Sequence, residues 1–190
     1  MKGRKMRKLL VVSGHPDLEN SVANKEILRI LKEKLPNAEF DVLSELYPDF
    51  KIDVAREQEK LRAADVVVLE FPLFWYSSPA LLHQWVEQVF VRGFSHGREG
   101  DKLKGKTLVL SFTAGAPTEY YTKEVSGYDL EAFLPPFKCC AALCGMNWGG
   151  HVFSGSLSYA DRGDEAKIAR MKQIADEHAE KLLALLSNLK

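Results

Sequence analysis

Five short runs of apolar and β-branched residues punctuate the chain, and stretches of helical spacing separate them. The most pronounced run, 65–71, reads Asp-Val-Val-Val-Leu-Glu-Phe and predicts a buried central strand. It stops at Pro72, which has no N–H to give a sheet ladder. Pro79 suits the first position of a helix, and Ala80, Leu81, Leu82, Trp85, Val86, Val89 and Phe90 then recur at helical spacing. Further strands are predicted over 8–13, 39–43, 106–112 and 147–153, with helices over 21–35, 54–64, part of 130–143 and 161–189. The 54–64 helix is polar and rich in Arg and Glu, whereas Pro135-Pro136 interrupts the 130–143 segment. The last helix gathers Ile168, Met171, Ile174, Ala175, His178, Leu182, Leu185 and Leu186 on one face. Residues 118–127 show no clear periodicity.

Strand and helix therefore alternate five times, which predicts an α/β, doubly wound parallel sheet with helices on both faces and strand order 2-1-3-4-5. In such a sheet the loops after strands one, three and four emerge at the same carboxyl edge, where ligands bind. The first loop carries His15 and runs into a helix start at Ser21, Val22, Ala23 and Asn24. Free amides and the helix dipole make that an anion site. Taken alone, Ser21 reads as a helix cap. Neither GxGxxG nor GxxxxGK[ST] occurs, so the dinucleotide fingerprint and the Walker loop are absent. The loop after strand three, Pro72 with Leu73, Phe74, Trp75 and Tyr76, crowds large rings where a surface has little use for them unless they cover something. That something is a flat ligand or a second subunit; Trp85, on the helix, reads as core. The loop after strand four, Thr113-Ala114-Gly115-Ala116, is small enough for its backbone to approach a planar ligand, and equally suits a tight turn. One phosphate loop, one aromatic loop and one small loop on a single edge together describe a site for flavin mononucleotide.

Composition narrows the partners. At 190 residues the chain fits a single domain, 1–190. Lys+Arg and Asp+Glu both number 26, so no net field favours nucleic acid or an anionic membrane. The start, 1–8, is basic and reads as solvated, and the apolar run after it is too brief for a signal or a membrane span. Cys139, Cys140 and Cys144 lie in one predicted helix without metal-ligand spacing, and read as reduced, core-packed thiols of a cytoplasmic protein; no metal site is expected.

At these residues the chain resembles the flavodoxin-like NAD(P)H:quinone oxidoreductases, a family that takes in DT-diaphorase, the bacterial modulator of drug activity, general stress reductases and the ancillary flavoproteins of glutathione-gated potassium efflux systems. Gly14-His15-Pro16, Ser21-Val22-Ala23-Asn24 and the long motif Phe71-Pro72-Leu73-Phe74-Trp75-Tyr76-Ser77-Ser78-Pro79-Ala80-Leu81-Leu82 carry the likeness. Trp85, Gly93-Phe94, Thr113-Ala114-Gly115-Ala116, Gly127-Tyr128, Leu134-Pro135-Pro136-Phe137 and Cys144-Gly145-Met146 extend it over 8–153. The resemblance implies that His15 and Ser21 to Asn24 hold the flavin phosphate and ribityl chain, that Leu73, Phe74, Trp75 and Tyr76 line the isoalloxazine, and that Thr113, Ala114, Gly115 and Ala116 meet its polar edge. It implies FMN, or FAD, as cofactor and NAD(P)H as electron donor, with ping-pong two-electron reduction of a quinone or other flat aromatic acceptor. A homodimer is implied too. Tyr121 falls at the family's active-site Tyr. No His stands at the family's active-site His near Gly127-Tyr128, where Tyr128 offers a phenol instead. The alternative the resemblance carries is a regulatory one: a cytoplasmic subunit that binds a potassium efflux transporter from the inner face of the membrane.

Overall fold

A computed structural model describes residues 7–189. In chain order the elements are β1 (Leu9–Ser13), α1 (Ala23–Lys34), β2 (Glu39–Val42), α2 (Leu43–Leu46), α3 (Val54–Ala63), β3 (Val66–Pro72), α4 (Ala80–Val89), β4 (Thr107–Thr113), α5 (Lys123–Ser126), α6 (Pro135–Leu143), β5 (Asn147–Ser154) and α7 (Glu165–Asn188). Short 3-10 turns cover Thr118–Tyr120, Leu130–Phe133 and Tyr159–Gly163. The basic start lies, up to Met6, outside the described residues. Among those described, no helix is long and apolar enough to cross a membrane.

The five strands form one parallel sheet in the order β2-β1-β3-β4-β5, as the alternation predicts. Alternate strand residues feed two separate cores. Val11, Val68, Val109 and Val152 meet Ile27 and Leu31 of α1 and Ala175 and Leu182 of α7. Val12, Leu69, Phe71, Leu110 and Phe112 meet Leu61 of α3, Leu82, Trp85 and Val89 of α4, and Ala141 of α6. Both faces of β3 are buried along its whole length, which is why its sequence runs apolar without alternation. Gly14, just past β1, gives its N–H to the Glu70 carbonyl at 2.8 Å. A Cβ there would stand 2.6 Å from Leu82 Cβ, so α4 approaches this strand end as closely as it does because the residue is glycine.

Several local expectations change. Pro79 caps α4 from outside instead of opening it. Pro135 and Pro136 start α6 rather than interrupting a helix, because the first turn needs no N–H donor. The last helix begins at Glu165, not at 161: Asp164 caps it, Oδ1 accepting from the Ala166 and Lys167 amides at 2.9 and 3.1 Å. Of the three thiols only Cys144 is fully buried; Cys139 points to solvent, since adjacent helical residues cannot share a face. The polar α3 also buries charge. Lys60 Nζ lies 2.5 Å from Asp41 Oδ1 and 2.8 Å from Glu57 Oε1. Tyr47 Oη donates to Glu57 Oε1 at 2.7 Å, and Trp85 Nε1 to Glu57 Oε2 at 2.9 Å.

Candidate functional site

At the carboxyl edge of the sheet a cleft of about 480 Å³ opens, within the size range of small-molecule sites. Its wall joins residues far apart in sequence: His15 and Ser21 to Asn24 after β1, Pro72, Leu73 and Phe74 at the end of β3, and Thr113, Ala114 and Gly115 at the end of β4. The three loops that the sequence pairs with phosphate, ring and polar edge do face one space.

Each loop is held by its own bonds. Ser21 Oγ accepts the Asn24 amide at 3.2 Å and caps the first turn of α1. Asn24 Oδ1 accepts from Thr113 Oγ1 at 2.9 Å, tying α1 to β4 across the cleft floor. His15 is buried, and its Nδ1 accepts the Asp17 amide at 3.1 Å, which leaves Nε2 as the donor. Burial pushes its pKa down to about 4, against the pull of Asp17, so the ring is neutral at pH 7. It offers a hydrogen bond rather than a charge. The Ala114 amide donates to Ser154 O at 2.9 Å, and the Ser156 and Leu157 amides return to Ala116 O and Ala114 O at 2.8 and 3.0 Å. The amides of Gly115 and Ala116 donate to nothing among the described residues. A Cβ on Gly115 would meet Ser158, nearest at its Cα at 3.4 Å, an ordinary contact, so packing within the chain does not require glycine there.

The aromatic loop forms a tight reversal. Phe74 and Ser77 exchange two backbone hydrogen bonds of 3.0 Å, and the residues between them, Trp75 and Tyr76, have φ of 50° and 65°. Tyr76 stacks on Phe133 with centroids 5.2 Å apart, and its hydroxyl lies 3.2 Å from that of Tyr120. Trp75 is 93% exposed. Trp75, Tyr76 and Ala116 stand beside the cleft, outside the residues that line it. The two candidate tyrosines are also outside that lining. Tyr121 is buried edge-on against Phe153 and Phe133, at 5.0 and 6.0 Å. Tyr128 is exposed, with only its backbone bonded, to Ser126 Oγ.

A fourth wall escapes the sequence reading. Leu157, Ser158, Tyr159 and Arg162, after β5, close the cleft together with Met171 of α7. The Arg162 guanidinium carbon stacks 3.5 Å from the Tyr159 ring centroid and brings the cation that His15 does not supply. The signal was present: Gly163-Asp164-Glu165 is a stop followed by a cap, and it places Arg162 in a loop.

A family model described as the flavodoxin-like fold matches residues 7–180. Over 142 residues the chain is 42% identical to the glutathione-regulated potassium-efflux system ancillary protein KefG of Enterobacter sp. (strain 638), covering 74% of this chain and 77% of that one. The crystal structure of general stress protein 14 from Treponema denticola, in complex with FMN, superposes with a TM-score of 0.83 at 27% identity, over 95% of this chain and 99% of that one. An NADPH-quinone reductase from P. pentosaceus superposes with a TM-score of 0.70 at 25% identity, over 90% and 98%.

Proposed function

The chain belongs to the flavodoxin-like fold family, and on that premise we propose that it binds FMN in the carboxyl-edge cleft and serves as an NAD(P)H:quinone oxidoreductase. The observation that carries the reading is the convergence of the His15–Asn24, Pro72–Phe74 and Thr113–Gly115 stretches on one cleft. The donor set suits the group. Ser21, the start of α1 and Arg162 suit a phosphate, and the unbonded Gly115 and Ala116 amides suit the acceptor edge of a flat heterocycle. The related FMN complex and the quinone reductase superposition support it. Bound there, FMN supplies hydride transfer from NAD(P)H to a quinone in two alternating half-reactions. FAD shares the portion of the cofactor that these residues would hold.

The residues would then divide the work. Arg162 and the α1 amides bind the phosphate, while neutral His15 donates Nε2–H without adding charge. Gly115 and Ala116 hold preorganised N–H groups where negative charge gathers during turnover. Phe74 walls the cleft and Trp75 and Tyr76 flank its rim, flat surfaces that make discrimination among quinones loose. Tyr121 and Tyr128 are candidates for charge stabilisation or substrate capping. Exposed Trp75 at the rim suits a two-fold homodimer in which the second copy covers the opening.

The 42% identity to KefG favours a second role for the same protein, as a cytoplasmic ancillary subunit of a potassium efflux transporter docking at the inner face of the membrane. Both readings are testable with purified material. Protein reconstituted with FMN should show a flavin band, bleach with NADH or NADPH, and recover its colour with menadione. No flavin band after reconstitution overturns the oxidoreductase reading. Co-purification with a potassium efflux transporter supports the ancillary role, and its failure removes that role alone.

A further inference from the structure

Glu70 is fully buried at the centre of β3. In register it lies between Ser13 of β1 and Ser111 of β4. Ser13 Oγ donates to its Oε2 at 2.7 Å, while Oε1 has no partner among the described residues. Strand residues two apart share a face and stand about 7 Å apart. Glu70 therefore sits one layer beneath Pro72, and Ser111 one layer beneath Thr113, two residues that line the cleft. The fold alone has no use for a carboxyl here, because the Ser13 hydroxyl would bond an amide equally well. We propose that Glu70 is the charge-compensating group of the cleft, holding a proton while negative charge resides above it and releasing that proton when the charge leaves. The inference rests on the flavin reading.

No cation offsets an ionised Glu70. From β1 and β4 it faces serines, and the buried residues of α1 on this side, Ala23, Asn24 and Ile27, carry no charge. From α7 the titratable neighbour is His178, whose Nε2 lies 2.9 Å from Ser111 Oγ and whose Nδ1 lies 2.9 Å from Ser154 Oγ. Burial keeps that ring neutral. A carboxylate with one bare oxygen in this setting is costly, so the carboxyl prefers its proton. Burial pushes its pKa up to about 8, against the Ser13 hydrogen bond that pulls it down. Its charge state is then poised where a nearby charge can move it. Hydride from NAD(P)H brings two electrons and a proton and adds one negative charge to the cleft. Above about pH 8, where its carboxyl is ionised before reduction, Glu70 answers by taking a proton from water and gains no electrons. It gives that proton back when hydride and a proton pass to the acceptor. The sum is NAD(P)H + H⁺ + quinone → NAD(P)⁺ + hydroquinone.

The test measures flavin midpoint potential against pH in FMN-reconstituted wild type, Glu70→Gln and Ser13→Ala. Wild type should fall more steeply once pH passes about 8, by one further proton per two electrons, or about 30 mV per pH unit. Glu70→Gln should lose that extra slope and hold the higher potential at alkaline pH. Ser13→Ala should shift its onset to higher pH, and it keeps the question open to test if Glu70→Gln does not fold. Reduction minus oxidation infrared spectra at pH 9 should gain a protonated-carboxyl stretch in wild type that Glu70→Gln lacks. Flavin bound normally, with the same slope in wild type and Glu70→Gln or an unmoved onset in Ser13→Ala, overturns the role of Glu70 and leaves the flavin reading intact. Absence of a flavin band overturns both.

Discussion

Trp75 and Tyr76 occupy the two central positions of a reversal in which both residues need positive φ, the place where Asn-Gly is the unstrained choice. Left-handed backbone costs an ordinary residue roughly 1–2 kcal/mol. Tyr76 recovers some of this against Phe133 and Tyr120, whereas Trp75 touches solvent. Strain at an exposed ring, next to a cleft, is kept for something the ring covers. Trp75→Asn should therefore raise stability by about 1 kcal/mol, a rise of roughly 2–4 °C in Tm, while weakening flavin retention and quinone turnover. Thermal melts of flavin-free protein and flavin loading measure the two halves separately. An unchanged Tm would mean that the turn is relaxed and the strain argument fails. The crowding of rings was legible in the sequence. Their backbone geometry was not, because neither Gly nor Asn marks the turn.

The clearest gap between sequence and structure among the elements is α3. Its charges suggest a solvated helix, and the spacing rule has no way to tell a buried ion pair from an exposed one. Glu57 and Lys60 lie three apart, hence on one face, and that face turns inward to Asp41, Tyr47 and Trp85. The pull of burial on Glu57 is outweighed by hydrogen bonds from Lys60, Tyr47 and Trp85, which hold its carboxyl below the usual range. Lys60 is the single cation in this group. Lys60→Met would leave the Asp41 and Glu57 carboxylates buried without it, and should cost about 3–5 kcal/mol, against under ~1 kcal/mol for breaking the exposed Arg62–Glu59 pair with Glu59→Gln, which leaves Arg62 stacked on Phe94. Urea midpoints of the two variants give the comparison, and equal losses would show that the α3 cluster behaves as a surface pair. Elsewhere the reading failed at junctions: the 3-10 turn before α7 continued the helical pattern closely enough to hide Arg162 inside it.

Strand order, the two apolar faces and the shared carboxyl edge follow from alternation alone, so the whole-molecule plan was the most legible part of the sequence. Buried polar groups on the α1/α7 face were invisible in it, since Ser13, Glu70 and Ser111 sit within runs read as apolar strands and Ser154 lies one residue past another. Buried titratable groups set how stability depends on pH. His15 and His178, pushed by burial to about 4 and about 3 from 6.5, take up protons only on unfolding, so their contribution is complete above pH 6.5 and is lost as pH falls. Glu57, held low, also withdraws support on the acid side. Glu70 works the other way: raised from 4.5 to about 8, it favours the folded state at low pH and loses that advantage as pH climbs from 4.5 to 8. Asp41, likewise pushed up by burial, adds to the same loss. Between about pH 4.5 and 6.5 the histidines and the raised carboxyls offset one another, and stability should be nearly flat. From pH 6.5 to about 7 Glu70 acts without that counterweight, so flavin-free protein should lose up to about 1.4 kcal/mol per pH unit, and above about 7 Cys144, whose thiol is drawn down to about 7 by its hydrogen bond with Cys140, offsets part of the further loss. Glu70→Gln has no proton to lose, and its stability should hold level from pH 6.5 to about 7 and rise beyond it with Cys144, while its acid limb still falls with the histidines. Denaturant midpoints at pH 5.5, 7 and 8.5 in both proteins decide it, and parallel profiles would mean that Glu70 is already ionised in the folded chain at neutral pH.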